Sequence, residues 1–251
     1  MNASVSDFLE TGDILIIPLF QDTEKAPNNT TIGLSRSASI TLKSAISSDS
    51  FEGKEGETIS IWTKECQIIL LGMGTNSNLT TKKSRDIGAK CFSNLSGNKG
   101  KDIVIRFTTR WNTENMASFA EGMILRDYTF DKYQKKIDEE KHDGEWTIVC
   151  QTTKRHRKNL DLEIKKLSSI ATGVHLARDL GNEPANRLYP EEFARRAEDW
   201  AKEKENVEVE VWDFSRLKEE GMNALIEVGK GSIHKPCMVF FRLNPDLDTG
   251  I

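Results

Sequence analysis

The sequence predicts an α/β protein with a three-layer N-terminal domain. A long linking helix and the first βαβ part of a second α/β domain follow. Three observations predict this. Short apolar runs rich in Ile, Leu and Val alternate with segments of helical period through the first 150 residues. A helical pattern with apolar residues at Leu160, Ile164, Leu167, Ile170, Val174 and Ala177 then runs into Gly181, Asn182 and Pro184. Beyond it, a second helix, an alternating strand and a run at Cys237–Leu243 that is apolar but for Arg242 have the order of a βαβ unit with a buried parallel strand.

Residues 1–12 are polar and are expected to fray. Asp13–Phe20 is apolar and isoleucine-rich, a buried strand. Gln21–Thr31 is a loop, and Ile32–Ile46 is a weak helix because its serines and threonines have low helix propensity. Thr58–Trp62 and Gln67–Leu71 are strands. Gly72-Met73-Gly74-Thr75 turns the second of them into a helix with Ser84, Ile87, Gly88, Cys91, Phe92 and Leu95 on one face. Asp102–Phe107 is a strand. Asn115–Asp127 is amphipathic, with Met116, Phe119, Ala120, Met123 and Ile124 in one stripe that reads as core packing. Lys132–Glu145 is a charged loop and Trp146–Cys150 a last strand. The polar, basic stretch Thr152–Lys158 reads as a linker and sets the domains at 1–153 and 154–251.

Gly181 and Asn182 suit a left-handed C-terminal cap, and Pro190 opens the next helix at its first turn. That helix, to about Lys204, carries Phe193, Ala197, Trp200 and Ala201 on its core face. Glu191 and Glu192 lie in its first turn, four residues before Arg195 and Arg196. Val207–Val211 alternates apolar and acidic residues. Asp213 can cap a short helix that Gly221 ends.

The 251 residues suffice for one large or two ordinary domains, and 29% are charged. The net charge of -4 supplies no global basic field, so no nucleic-acid partner is expected. The N-terminus lacks the basic-then-apolar pattern of a signal peptide, and no run is long enough to span a bilayer, so no membrane partner is expected either. Cys66, Cys91, Cys150 and Cys237 are widely spaced without a CxxC pair, which favours reduced thiols in a cytoplasmic protein over disulfides or a zinc knuckle.

Ala177-Arg178-Asp179-Leu180, Asn182-Glu183-Pro184-Ala185-Asn186 and Pro190-Glu191-Glu192-Phe193-Ala194 together resemble the opening of the catalytic domain of the leucine aminopeptidase (cytosol aminopeptidase) family. Glu121-Gly122 with Tyr128, Phe130, Asp131, Lys132 and Tyr133 resembles that family's "EG…Y.FDKY" segment. Gly221-Met222-Asn223-Ala224-Leu225 with Val228-Gly229-Lys230-Gly231-Ser232 resembles its "GM.ALL.VG.GS" segment. The likeness spans roughly residues 65–245, and several matches in order are far more specific than any one. Tyr189 stands where the family usually has a capping threonine.

The resemblance implies an N-terminal domain similar to macro domains and a catalytic domain of zinc-peptidase type. It further implies a hexameric, cytoplasmic exopeptidase that removes N-terminal residues from peptides with two divalent ions, Zn²⁺ or Mn²⁺. Two such ions can bind the peptide's α-amine, polarise the scissile carbonyl and activate a bridging water. Their ligands in the family are a lysine, aspartates and a glutamate, opening with "VGKG.TFD.GG". Val228-Gly229-Lys230-Gly231 shares four letters of this but continues Ser-Ile-His-Lys-Pro, so Lys230 reads as a surface lysine beside a turn. The metal segment is expected after Ile251. No catalytic or metal residue is therefore assigned within 1–251, the substrate-binding residues are unknown, and this segment alone is expected to bind no metal and to be inactive.

Other candidates have simpler readings. His175 and Asp179, four apart on a helix, could share a metal, but no third ligand is near in sequence, and an ion pair or solvent contact is favoured. His142, His156 and His234 read as solvated, and Lys154–Lys158 as a solvated basic cluster. Gly72-Met73-Gly74 could offer backbone N–H groups to a phosphate, although a tight turn is favoured. The alternative function is thus a stand-alone binding module for a nucleotide or protein partner. A largely apolar strand at 237–243 in a small fragment would leave an edge exposed, so residues 160–251 are expected to be less stable in isolation than 1–150.

Overall fold

The computed structural model describes residues 1–7, 12–22, 33–47, 51–95, 102–108, 110–134 and 146–244. The strands are β1 (Asn2–Ser6), β2 (Ile14–Leu19), β3 (Thr58–Trp62), β4 (Gln67–Gly72), β5 (Asp102–Arg106), β6 (Thr147–Gln151), β7 (Val207–Trp212) and β8 (Met238–Leu243). The helices are α1 (Arg36–Ser47), α2 (Thr81–Ser93), α3 (Thr113–Asp127), α4 (Lys154–Asn182), α5 (Pro190–Lys202), α6 (Phe214–Glu219) and α7 (Asn223–Gly229). Contacts divide the chain into two compact units, Met1–Ala177 and Arg178–Ile251.

The first unit is built on a six-stranded sheet of order β1-β6-β5-β2-β4-β3. All its neighbours pair in parallel except β3 with β4. Every residue of β2 and β4 is buried, which is why both read as unbroken apolar runs. Alternate side chains serve opposite layers. Ile14 and Ile16 join Ile87, Phe92, Met116, Phe119, Leu160 and Ile164 from α2, α3 and α4. Leu15, Ile17 and Leu19 join Ala38 and Leu42 from α1. Pro18 is tolerated in a central strand because β2 pairs with β5 only as far as Ile16.

Several expectations are corrected. Residues 2–6 are not frayed: β1 pairs in parallel with β6, with Ala3 and Val5 turned to the core, while 8–11 lie outside the described residues. Its polar composition hid a strand that only a neighbouring strand could specify. The stretch Thr152–Lys158 is no linker from Lys154 onward, where α4 begins, and Arg157 pairs with the buried Asp7 at 2.7 Å. A 3-10 turn at Asn76–Asn78 separates the Gly72–Thr75 loop from α2, whose N-cap is Thr80. Helix α4 runs through Gly181 and Asn182 without a left-handed residue at either. It stops because Pro184 disfavours the helical conformation at Glu183. The expected loop at 132–145 lies outside the described residues from 135 onward, as does most of Gln21–Thr31.

In the second unit α5 buries Ala194, Ala197 and Ala201, while Phe193 and Trp200 stay partly exposed. Asp213 caps α6 by accepting from the Arg216 N–H, and Gly221 at φ +70° follows the helix as expected. The parallel βαβ opening is overturned, since β7 and β8 pair antiparallel from Val207↔Leu243 to Trp212↔Met238. The expected burial is not met either, since no residue of β8 is fully buried. The short helices α6 and α7 bring the chain back alongside β7 in reverse.

Helices α2 and α3 cross with backbones nearly touching. A Cβ on Gly88 would lie 2.2 Å from the Phe119 carbonyl oxygen, and one on Gly122 only 2.0 Å from that of Arg85. The Arg85 Nε donates to the buried Glu121 carboxylate across the same crossing at 2.7 Å. Gly122→Ala is expected to destabilise the first unit by about 1–3 kcal/mol or more, because the backbones must separate. Gly173→Ala in α4, where nothing lies within 4 Å, should instead stabilise by about 0.5–1 kcal/mol. Urea denaturation followed by circular dichroism distinguishes the two signs.

Candidate functional site

The stretch from Glu183 to Pro190 is held by local bonds. The Glu183 N–H donates to the Asp179 and Leu180 carbonyls, and those of Arg187 and Leu188 to the Pro184 carbonyl. Tyr189 takes the N-cap position of α5 with extended backbone and no side-chain cap, so the missing threonine is not replaced in kind. Glu192, in the first turn, accepts a two-pronged hydrogen bond from Arg195 at 2.8 Å and a third bond from Arg196. Arg196 reaches back to Glu183, whose side chain is 2% exposed, at 3.0 Å. A buried carboxylate of the motif is thereby tied to α5 by one guanidinium. The bonds from Arg195 and Arg196 hold the Glu192 carboxyl down to about 2.

The loop before β8 folds onto the start of α5. The Lys235 N–H donates to Glu191, the Cys237 thiol donates to the Pro190 carbonyl, and His234 stacks on Tyr189 with ring centroids 4.0 Å apart. His234 also places Nδ1 3.7 Å from the Glu191 carboxylate. His234 is therefore not simply solvated, which corrects the sequence expectation. No periodicity links residue 189 to 234, so nothing in the sequence signals the pair. Two shallow grooves meet at Cys237. One, of about 330 Å³, carries Glu191, Arg195, Asp213 and Lys235. The other, of about 390 Å³, is apolar, with Tyr189, Phe193 and Val239.

Lys230 is exposed and pairs with Glu227 at 3.1 Å, as expected of a surface lysine beside a turn. His175 packs against Tyr128 with ring centroids 5.3 Å apart. Among the described residues no group of three or more His, Cys, Asp or Glu gathers at one point. This donor set does not fit a two-metal centre, which needs several carboxylates around each ion. His142 lies outside the described residues. The cysteines are free; burial pushes Cys91 and Cys150 up to about 12, so both are inert thiols.

The first three residues of the Gly72–Thr75 loop spend their donors on the protein. The N–H groups of Gly72, Met73 and Gly74 donate to the carbonyls of Glu57, Leu19 and Gly53. Gly74 sits at φ +68°, and a Cβ on Gly72 would lie 2.0 Å from the Lys54 carbonyl oxygen. The geometry is that of a tight turn.

The profile of the cytosol aminopeptidase family's N-terminal domain matches residues 16–136, and that of its catalytic domain matches residues 175–249. The chain belongs to the cytosol aminopeptidase family. A probable cytosol aminopeptidase of Clostridium perfringens is 32% identical over 248 residues, which cover 94% of this chain and 48% of that protein. Its counterpart in Brucella suis is 35% identical over 193 residues, 74% of this chain and 38% of that one. The chain thus spans about half the length, or less, of these relatives. Among solved structures, a mutant of tomato leucine aminopeptidase superposes with a TM-score of 0.75 at 20% identity, covering 96% of this chain and 50% of that one. The bottromycin maturation enzyme BotP in complex with Mn gives 0.66 at 20% identity, covering 91% and 44%. These likenesses show a shared fold. Among the described residues no helix is long and apolar enough to cross a membrane.

Glu192→Gln should lower the melting temperature of the second unit at pH 7. Since the folded carboxyl lies below its ordinary value of 4.5, the difference from wild type should be full above that pH and vanish as pH falls to about 2. A pH series of thermal melts checks this. In limited proteolysis residues 190–244 should be cut before residues 51–95. Trimming of the first unit ahead of the second would contradict the stability difference expected from the open β7–β8 pair.

Proposed function

We propose that this chain is the N-terminal portion of a two-metal-ion leucyl aminopeptidase that releases N-terminal amino acids from peptides. The observation that carries the proposal is the pair of family matches in their proper order, at about half the length of the relatives. In this reading the functional division lies at 153/154. Residues 1–153 form the macro-like part, and 154–251 are the linking helix and the opening of the catalytic domain. The Zn²⁺ or Mn²⁺ ligands and the catalytic groups belong to sequence that follows Ile251. A relative in complex with Mn supports a divalent ion in the complete enzyme. We place that enzyme in the cytoplasm as a homo-oligomer, a hexamer by family resemblance.

The open β7–β8 pair supports a scaffolding role for the second unit. None of its strand residues is fully buried, and Phe241 and Leu243 are 51% and 69% exposed. Further strands of a catalytic sheet would cover them. A two-stranded pair is marginal without such cover.

The test is hydrolysis of a leucine anilide with added Mn²⁺. Residues 1–251 are expected to show no turnover, whereas the same chain continued to family length should be active and lose activity to a chelator. Metal-dependent turnover by residues 1–251 would overturn the placement of the site. An inactive full-length chain would overturn the peptidase reading.

A further inference from the structure

Open parallel sheets take ligands in the crevice outside the carboxyl ends of their strands, where the chain's path switches direction across the sheet. In the first unit that point lies at β2 and β5. The chain builds β4 on one side of β2 and later places β5 and β6 on the other. A nucleotide-binding version of this domain would use this place.

It is filled from within. Trp111, five residues beyond β5, is 2% exposed. Its ring lies 5.3 Å from that of Phe20, the residue after β2, and 4.8 Å from that of Phe107, the residue after β5. Phe119 of α3 closes the third side at 6.1 Å. The three loops at this end are joined above it. The Gln21 N–H donates to the Gly74 carbonyl at 2.8 Å, the Asn76 amide to the Arg110 carbonyl, and the Arg110 guanidinium to the Asp22 carbonyl. Arg110 also pairs with the Asp22 carboxylate at 3.4 Å. The Trp111 Nε1 has no hydrogen-bond partner among the described residues, and its ring is held by aromatic contacts with Phe20, Phe107 and Phe119.

We propose that Trp111 is an internal plug in the ligand crevice of this domain, and that the first unit is closed to nucleotides by a side chain of its own. The plug and the spent N–H groups of Gly72, Met73 and Gly74 lie at the same end of the sheet, one acting by volume and the other by hydrogen bonding. Removing the plug should leave an apolar, aromatic-walled cavity with affinity for a flat ring. Engineered apolar cavities of this kind bind small aromatics. The inference goes beyond the aminopeptidase reading and does not depend on it, since the test measures no hydrolysis.

The experiment is calorimetry on the whole 251-residue chain. Wild type should give no saturable heat with ADP-ribose at millimolar concentration and none with indole. Trp111→Ala, checked for native circular dichroism, should bind indole saturably. If that variant does not fold, Trp111→Leu leaves a smaller gap that benzene should fill, read as a rise in melting temperature absent from wild type. Saturable ADP-ribose binding to wild type would overturn the proposal. So would a folded variant that takes up no aromatic ring.

Discussion

A strand that is apolar on both faces has to be covered on both faces, and this constraint organises the chain. In the first unit β2 and β4 meet it completely. Their alternate side chains feed two separate clusters, one beneath α2, α3 and α4 and the other beneath α1. The backbone contact of α2 with α3 at Gly88 and Gly122 follows from the same demand, because a second helix fits over the sheet only if the first approaches it closely. In the second unit the described strands do not reach this state, and their apolar side chains stay half exposed.

This contrast explains why the two units carry such different polar features. In the first, charged groups near the core are few and individually matched, as in Arg85 with Glu121 and Arg157 with Asp7. In the second, ion pairs gather on α5. Glu192 gathers Arg195 and Arg196, and Arg196 passes the link to Glu183 in the segment that the family shares. Exposed pairs of this kind contribute little singly. Most of them lie within α5, and in this network only the bond from Arg196 to Glu183 reaches outside the helix, tying it to the preceding turn.

Family membership was legible because it lies in short ordered segments: the residues from Ala177 to Ala194 and from Gly221 to Ser232. The site was not legible, and for a physical reason. A two-metal centre needs carboxylates brought together from several strands, and no such group gathers among the described residues. The pairs that the structure does bring together, Tyr189 with His234 and Glu183 with Arg196, join residues with no common period, so no pattern along the chain announces them.

The sequence by itself determined the α/β class, the buried face of α2, the buried strand β2, the place of β4, the caps at Asp213 and Gly221 and the start of α5 at Pro190, whereas the single apolar stripe read for α3 understates a helix that is buried at every residue from Asn115 to Ile124. Each of these depends on side-chain period or on local backbone preference, which a linear reading carries. The tertiary structure alone decided the rest. It made a strand of the polar Asn2–Ser6 by supplying β6 as a neighbour, and it turned the apolar run at 238–243 antiparallel to β7. It carried α4 through Gly181 and placed Trp111 in the crevice between β2 and β5. These are pairing direction, partner choice and the filling of space, and each is fixed by residues distant in the chain rather than by neighbours along it.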